Sequence, residues 1–314
     1  MVRAREPDAD GYVERDGVKL FYEVYGEGSP TILLMPTYPI VHSRMWKAQI
    51  PYLARHYRVV TFDPRGNGRS DRPRDPRAYS DDEYVADTIS VMDGTGTDRA
   101  ILVALCTGSR WSIETAAVHP DRVLGIVALG PGVPFLAPPH PFRAKAAETF
   151  EQVVDDGEGW AAKENRRYWM RDWPGWVEYH SGSVFMLPEQ HSTKLYEDLV
   201  EWGLETDAET LLIMRDGPSG ELFPETQEQA EELCRRVRCP LLIIHGTEDR
   251  CQPLARAERL AEITGGRLVI LEGAGHGPFG RHPVVVNRLI REFVESVRAR
   301  RPDRGGGIDA SADA

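Results

Sequence analysis

The chain has 314 residues, of which 49 are acidic and 38 are basic, and its formal net charge is −11 at pH 7. This acidic balance disfavours nucleic acid and an anionic membrane surface as partners, because no positive field offsets the repulsion from phosphates. With 41% hydrophobic residues the composition is that of a folded globular protein, and four cysteines are too few for a disulfide scaffold.

Strand-like and helix-like segments alternate along the chain, which is the pattern of a mostly parallel sheet flanked by helices. Two early strand-like runs are joined by Asp16-Gly17, a strong β-hairpin signal. The later apolar runs are unbroken, as expected for strands that are buried on both faces. The predicted strands are 12–15, 18–25, 31–35, 57–62, 101–105, 123–129, 240–245 and 267–271. The predicted helices include 81–92, 107–117 and 284–299.

The segment 131–238 interrupts this alternation. It is helix-like, begins with the proline-rich run PGVPFLAPPHP, and contains five of the seven tryptophans. We predict that it forms a helical cap inserted into an α/β core made of residues 1–130 and 239–300, with a flexible tail at 301–314. The aromatic residues of the cap either pack its own small core or contact a substrate, and the sequence leaves both open.

A candidate nucleophile follows the predicted strand 101–105. The pentad Ala104-Leu105-Cys106-Thr107-Gly108 has small residues two positions before and after Cys106. A nucleophile on a tight strand-to-helix turn needs this spacing, because larger side chains at those positions would collide. The following helix N-terminus would also favour the thiolate over the thiol.

Two later loops supply a candidate acid and a candidate base. Asp249 follows the strand 240–245, and His276 lies in a glycine-rich loop after the strand 267–271. The carboxyl ends of parallel strands meet at one sheet edge, so His276 can accept the proton of Cys106 while Asp249 orients the imidazole. Two alternatives are weaker: Ser109 falls inside the helix, and Glu248 fits the spacing of its loop less well than Asp249.

These motifs resemble those of the α/β-hydrolases over residues 12–297. ALCTG is similar to the nucleophile motif G-x-S-x-G, with cysteine for serine, and TFDPRGNGRSDRP to the D-x-R-G-x-G-x-S loop. HGTEDRCQP resembles the acid loop and LEGAGHGP the histidine loop. The resemblance implies an α/β-hydrolase fold with about eight mostly parallel strands. It is strongest for the capped esterase, haloperoxidase-like and epoxide-hydrolase-like branch.

The resemblance also implies an oxyanion hole made by the backbone N–H groups of Tyr38 and Thr107. Here the chain departs from the family, because Pro36-Thr37 replaces the usual His-Gly pair. Proline and threonine restrict that loop where glycine would leave it free.

Cys106 directs the functional hypothesis towards acyl chemistry, because the family's epoxide hydrolases and dehalogenases use an aspartate nucleophile. We predict a hydrolase that cleaves an ester, thioester or lactone through an acyl-cysteine. The alternatives are an acyltransferase that uses the same intermediate and a non-catalytic ligand-binding protein.

The expected partner is a small acyl substrate of apolar or aromatic character, with Tyr38, Trp169, Trp173 and His180 as candidate contacts. No H-E-x-x-H, C-x-x-C or dense His/Cys cluster appears, so we predict no metal and no cofactor. The absence of a signal-like or membrane-spanning apolar stretch predicts a cytoplasmic protein without a membrane partner. No pattern in the sequence predicts an oligomeric state.

Overall fold

The computed structural model describes residues 5–152, 159–185 and 192–300. Its strands form one eight-stranded sheet in the order β1-β2-β4-β3-β5-β6-β7-β8. They are β1 Ala9–Arg15, β2 Val18–Tyr25, β3 Thr31–Leu34, β4 Val59–Phe62, β5 Ala100–Leu105, β6 Val123–Leu129, β7 Leu241–Gly246 and β8 Arg267–Leu271.

The sheet is mostly parallel. β1 pairs with β2 and β2 with β4 in antiparallel fashion, whereas the strands from β3 to β8 pair in parallel. The carboxyl ends of these parallel strands therefore lie at one edge, where ligands bind in open α/β sheets. The predicted α/β fold is confirmed, including the hairpin at Asp16-Gly17.

The helices lie between and after the strands. They are α1 Ile50–Leu53, α2 Asp81–Gly94, α3 Thr107–Val118, α4 Pro141–Glu148, α5 Trp160–Lys163, α6 Arg166–Arg171, α7 Trp173–His180, α8 Thr193–Leu204, α9 Ala208–Asp216, α10 Gln227–Arg235, α11 Leu254–Thr264, α12 Pro278–Arg281 and α13 Pro283–Ala299. Short 3₁₀ helices span Ser43–Ala48 and Pro76–Tyr79, and a π-helical turn spans Ser181–Phe185.

Helices cover both faces of the central strands. In β5, Ile101 and Val103 pack in the cluster that contains α1 and α13, while Leu102 and Ala104 pack in the cluster that contains α2, α3, α10 and α11. Successive strand residues point to opposite faces, so an unbroken apolar run is what two buried faces require.

The prediction of two buried faces is wrong for β8. This strand is half-exposed, and its Ile270 is 45% accessible. β8 lies at the edge of the sheet with β7 as its partner, so the helical layers cover it less than the central strands. An apolar run alone does not distinguish an edge strand from a central one.

Helices α4–α10 lie between β6 and β7, in the segment predicted to be the cap. Helix α10 contacts α3 and α11 of the layer that flanks the sheet. The predicted limits of cap and core, at residues 131 and 238, stay a prediction, and the tail 301–314 lies outside the described residues. In the part of the chain that is described, none of the helices is long and apolar enough to cross a membrane.

Candidate active site

Cys106 occupies a strained turn between β5 and α3. Its φ is 52° and its ψ is −119°, a backbone conformation that residues other than glycine rarely adopt. The neighbouring backbone packs closely, because a Cβ on Gly108 would clash with the carbonyl oxygen of Pro36. The carbonyl oxygen of Cys106 accepts the N–H of Gly132 at 3.0 Å, which ties the turn to the segment after β6. The sequence prediction of a small residue at position 108 thus has a steric cause.

Asp249 and His276 lie together at the same edge of the sheet. The Nδ1 atom of His276 is 2.8 Å from Oδ2 of Asp249, and both side chains are buried. The other oxygen of Asp249 accepts the N–H groups of Cys251 at 2.7 Å and Gln252 at 2.8 Å. The carboxylate is therefore held by the backbone of its own loop while it orients the imidazole.

Gly130, the residue after β6, leaves the space for this pair. Its φ is 47°, and a Cβ there would lie 2.9 Å from Oδ2 of Asp249 and 3.1 Å from Nδ1 of His276. No motif in the sequence analysis identified this position. The parallel pairing of β6 with β5 and β7 is what brings it between the two later loops.

Asp249 and His276 each favour the charged form of the other. Burial alone would lower the pKa of His276, but the charges of Asp249 and Cys106 raise it to about 10. Burial opposes the charge on Asp249 as well, and the contact with His276 nevertheless lowers the pKa of its carboxyl group. Asp249 thus stabilises the imidazolium that forms when His276 accepts a proton.

A second thiol, Cys251, faces the first. The two Sγ atoms are 3.9 Å apart. The hydrogen bond between them, followed by burial, raises the pKa of Cys106 to about 12, and the same hydrogen bond lowers the pKa of Cys251. Because two thiolates so close would repel each other, the two thiols lose their protons in separate, coupled steps. Cys251 lies in the acid loop HGTEDRCQP, where no sequence motif assigns it a role.

A cavity of about 300 Å³ opens in front of Cys106. Tyr38 and Thr107, the expected oxyanion residues, both line it. Thr107 is the first residue of α3, so its N–H has no acceptor within the helix. The structure therefore places both candidate donor residues beside the candidate nucleophile.

Helices α4–α9 contribute the other wall of the cavity. His180 lines it, and burial, with smaller contributions from Arg143 and His276, lowers its pKa to about 3, so its ring is neutral. Trp176 also lines the cavity, although it was not among the predicted substrate contacts. The prediction that Trp169 and Trp173 contact the substrate is not supported, because neither lines the cavity in the described part of the chain. Both instead pack on the Trp176 ring, with centroid distances of 4.4 and 4.7 Å.

The same wall carries a buried cationic group. Arg143 lines the cavity, and its Nη1 atom is buried with no hydrogen-bond partner within the described residues. Its guanidinium lies 5.0 Å from the centroid of the Trp160 ring. Glu164 also lines the cavity, but its carboxylate accepts the indole N–H of Trp176 at 2.8 Å. One N–H donor of this buried guanidinium therefore lacks a partner beside the cavity.

Comparison with known proteins identifies the family of this chain. The α/β-hydrolase fold family matches residues 30–283. The chain belongs to this family. Epoxide hydrolase A of Mycobacterium tuberculosis (strain ATCC 25618 / H37Rv) is 30% identical to this chain, over 92% of this chain and 98% of the relative. As a member of the α/β-hydrolase family, the protein is a hydrolase.

Solved structures share the fold of this α/β-hydrolase. Bromoperoxidase from Bacillus anthracis superposes with a TM-score of 0.74 at 20% identity, covering 91% of this chain and 100% of that one. The enol-lactonase from Burkholderia xenovorans LB400 gives a TM-score of 0.71 at 20% identity, with the same coverage. At this level of identity the likeness concerns the fold alone.

Proposed function

We propose that this protein hydrolyses a carboxylic ester, thioester or lactone through an acyl-cysteine intermediate on Cys106. The observation that carries the proposal is the contact of 2.8 Å between His276 and Asp249 beside a cysteine held at φ 52°. A nucleophile, a base and a group that orients the base are the parts that acyl transfer requires.

The proposed reaction begins with transfer of the Cys106 proton to His276. The thiolate attacks the carbonyl carbon of the substrate, and the N–H groups of Tyr38 and Thr107 hold the oxyanion. Each such donor contributes about 3–4 kcal/mol in enzymes where one has been removed. His276 then protonates the leaving group, and a water molecule, activated by the same imidazole, releases the acid from Cys106.

The choice between epoxide and acyl chemistry rests on the residue at the turn. The relative named Epoxide hydrolase A raises the possibility of epoxide opening, for which the family resemblance implies an aspartate nucleophile. A thiolate at this position forms a thioester with a carbonyl substrate, and a thioester is readily hydrolysed by an activated water. Cys106 therefore favours ester, thioester or lactone substrates.

The side chains that line the cavity further restrict the class of substrate that we expect. Trp176 and Phe185 offer apolar contact, while the free Nη1 atom of Arg143 offers a charge-assisted hydrogen bond. We expect an acyl group of apolar or aromatic character that carries a carboxylate or another strong acceptor. Leaving that Nη1 donor buried without an acceptor is unfavourable, which is why we expect the substrate to supply one.

Steady-state kinetics on an activated ester, a thioester and a lactone test the proposal. Loss of turnover in both Cys106→Ala and His276→Ala is expected, with free acid as the product of the unaltered protein. Undiminished turnover in Cys106→Ala would overturn the mechanism. Capture of the acyl group by an added amine, alcohol or thiol in preference to water would identify an acyltransferase, and ligand binding without turnover would identify a binding protein.

A further inference from the structure

Three potential metal ligands converge at the active site. Sγ of Cys106, Sγ of Cys251 and a ring nitrogen of His276 all lie within 4.8 Å of one another, and all three residues are buried. The proposed reaction uses Cys106 and His276 but has no use for the second thiol. Cys251 is thus a buried nucleophilic group without a function in the mechanism.

The distance between the sulfur atoms suits a tetrahedral metal ion. With Zn–S bonds of about 2.3 Å and tetrahedral angles, two thiolates on one zinc ion lie about 3.8 Å apart. The observed separation of Cys106 Sγ and Cys251 Sγ is 3.9 Å. The sulfur atoms therefore need almost no change in separation to bind one ion between them.

The surrounding hydrogen bonds also favour ligation. Asp249 contacts Nδ1 of His276 at 2.8 Å, which leaves Nε2 as the ligating atom in a carboxylate–histidine–metal arrangement. The side-chain amide of Gln252 donates towards both sulfur atoms, at 3.3 Å to Cys106 and 3.6 Å to Cys251. Arg256 donates to the amide oxygen of Gln252, which fixes the NH₂ group on the side of the sulfurs.

We propose that Cys106, Cys251 and His276 form a binding site for a thiophilic divalent metal ion, Zn²⁺ foremost, and that the ion holds the enzyme inactive. Two thiols and a neutral imidazole bind the ion and release two protons, and the fourth position faces the cavity. Two Cys ligands and one His with an open position form a known donor set for zinc. Ligation engages the lone pairs of both the nucleophile and the base. The binding site stands independently of the proposed hydrolysis, whereas the inhibition rests on it.

Metal binding is tested on the full-length protein, chelator-treated and kept reduced with a phosphine. Titration with Co²⁺ alone is expected to produce thiolate-to-cobalt charge-transfer absorption at one ion per chain, which Zn²⁺ then displaces. Cys251→Ser and Cys251→Ala are both expected to weaken Zn²⁺ binding at least about tenfold. Cys239→Ser is the matched control, because Cys239 is a free, partly buried thiol outside this cluster, and it is expected to bind as the unaltered chain does.

The inhibition is tested separately from the binding. Zn²⁺ is expected to abolish esterase turnover, and a chelator is expected to restore it. Each Cys251 variant is compared with its own metal-free rate and is expected to need at least about tenfold more Zn²⁺ for the same fractional inhibition. Absence of the charge-transfer band, or equal Zn²⁺ affinity in the Cys251 variants, overturns the site. Metal uptake without inhibition overturns only the inhibitory role. A Cys106–Cys251 disulfide formed in air, with no metal uptake by the reduced chain, identifies a redox pair and overturns the metal site.

Discussion

The two walls of the cavity are built in different ways. At the carboxyl edge of the sheet, Cys106 is held by a strained backbone, and Asp249 accepts two backbone N–H groups while it contacts His276. In the helices between β6 and β7, Nη1 of Arg143 and Nδ1 of His180 have no hydrogen-bond partner within the described residues; at the sheet edge the same holds for Oγ1 of Thr37 but not for the side chains of Asp249 and His276. In the proposed reaction the sheet edge supplies the reacting groups, and we expect the helical segment to determine which substrate is accepted.

The largest effect is expected from a change at the sheet edge. Asp249→Asn keeps the shape of the side chain but removes the negative charge that holds the imidazole and its tautomer. We expect kcat to fall about 10⁴-fold, as the equivalent change does in a Ser-His-Asp triad. Steady-state kinetics on an activated ester measure the fall. A loss below tenfold would mean that the contact between Asp249 and His276 does not serve catalysis.

A smaller effect at the same edge is expected from Gly130→Ala, because its Cβ would press on Asp249 and His276. We expect kcat/KM to fall about a hundredfold, since misplacement of a catalytic group by about 1 Å has effects of this size. Gly96→Ala is the matched control: its φ is 64°, and no heavy atom lies within 4 Å of the added Cβ. Both variants are expected to lose about 1–2 kcal/mol of stability from the positive φ. Equal activity in the two would contradict the steric account.

The stability contributed by His42, which links the sheet edge to the helical segment, is expected to depend on pH. His42 lies 3.5 Å from Asp63, which follows β4, and 3.4 Å from Glu205, which follows α8. Burial would lower the pKa of His42, but these two carboxylates raise it to about 9. An unfolded histidine titrates near 6.5, so the stabilisation is complete below about pH 6.5 and is lost as the pH rises through the folded value.

This contribution is expected to reach about 2 kcal/mol, because Glu205 is partly exposed and screened. Urea unfolding at several pH values between about 6 and 10 measures it, with His42→Gln as the comparison. The unaltered chain is expected to lose more stability than the variant over this range. Parallel pH dependence in the two chains would remove His42 as a charged link.

The smallest effect is expected in the helical segment. Arg143→Met retains much of the apolar stem but removes the free Nη1 donor. We expect KM for an ester that bears a carboxylate to rise about tenfold, or about 1.4 kcal/mol, with little change for a neutral ester of the same size. Equal changes for both esters, or a larger change in kcat, would give Arg143 a different role.

The same contrast describes what could be predicted from the sequence. At the sheet edge, local motifs after β5, β7 and β8 were sufficient to predict that Cys106, Asp249 and His276 meet, because parallel strands bring such loops together. Cys251 was missed as part of the site because no sequence motif assigns a role to its position, and its contact of 3.9 Å with Cys106 is visible only in the structure. Gly130 was missed for the same reason, since its steric role depends on two loops that come later in the chain.

In the helical segment the sequence indicated aromatic content but not orientation. Trp169, Trp173 and Trp176 lie on consecutive short helices, and helical spacing could not distinguish the residue that faces the cavity from those that pack on its ring. Arg143 carried no motif at all. Its importance comes from burial of one nitrogen without a partner, which is visible in the three-dimensional structure alone.

Mass spectrometry can show whether Cys106 carries the acyl group. The protein is exposed briefly to an activated acyl ester, quenched in acid, weighed intact and then digested to locate the adduct. We expect one acyl-sized mass gain that is located on Cys106, is absent from Cys106→Ala and is retained in Cys251→Ala. An adduct located on Cys251, or continued turnover in Cys106→Ala, would contradict this expectation.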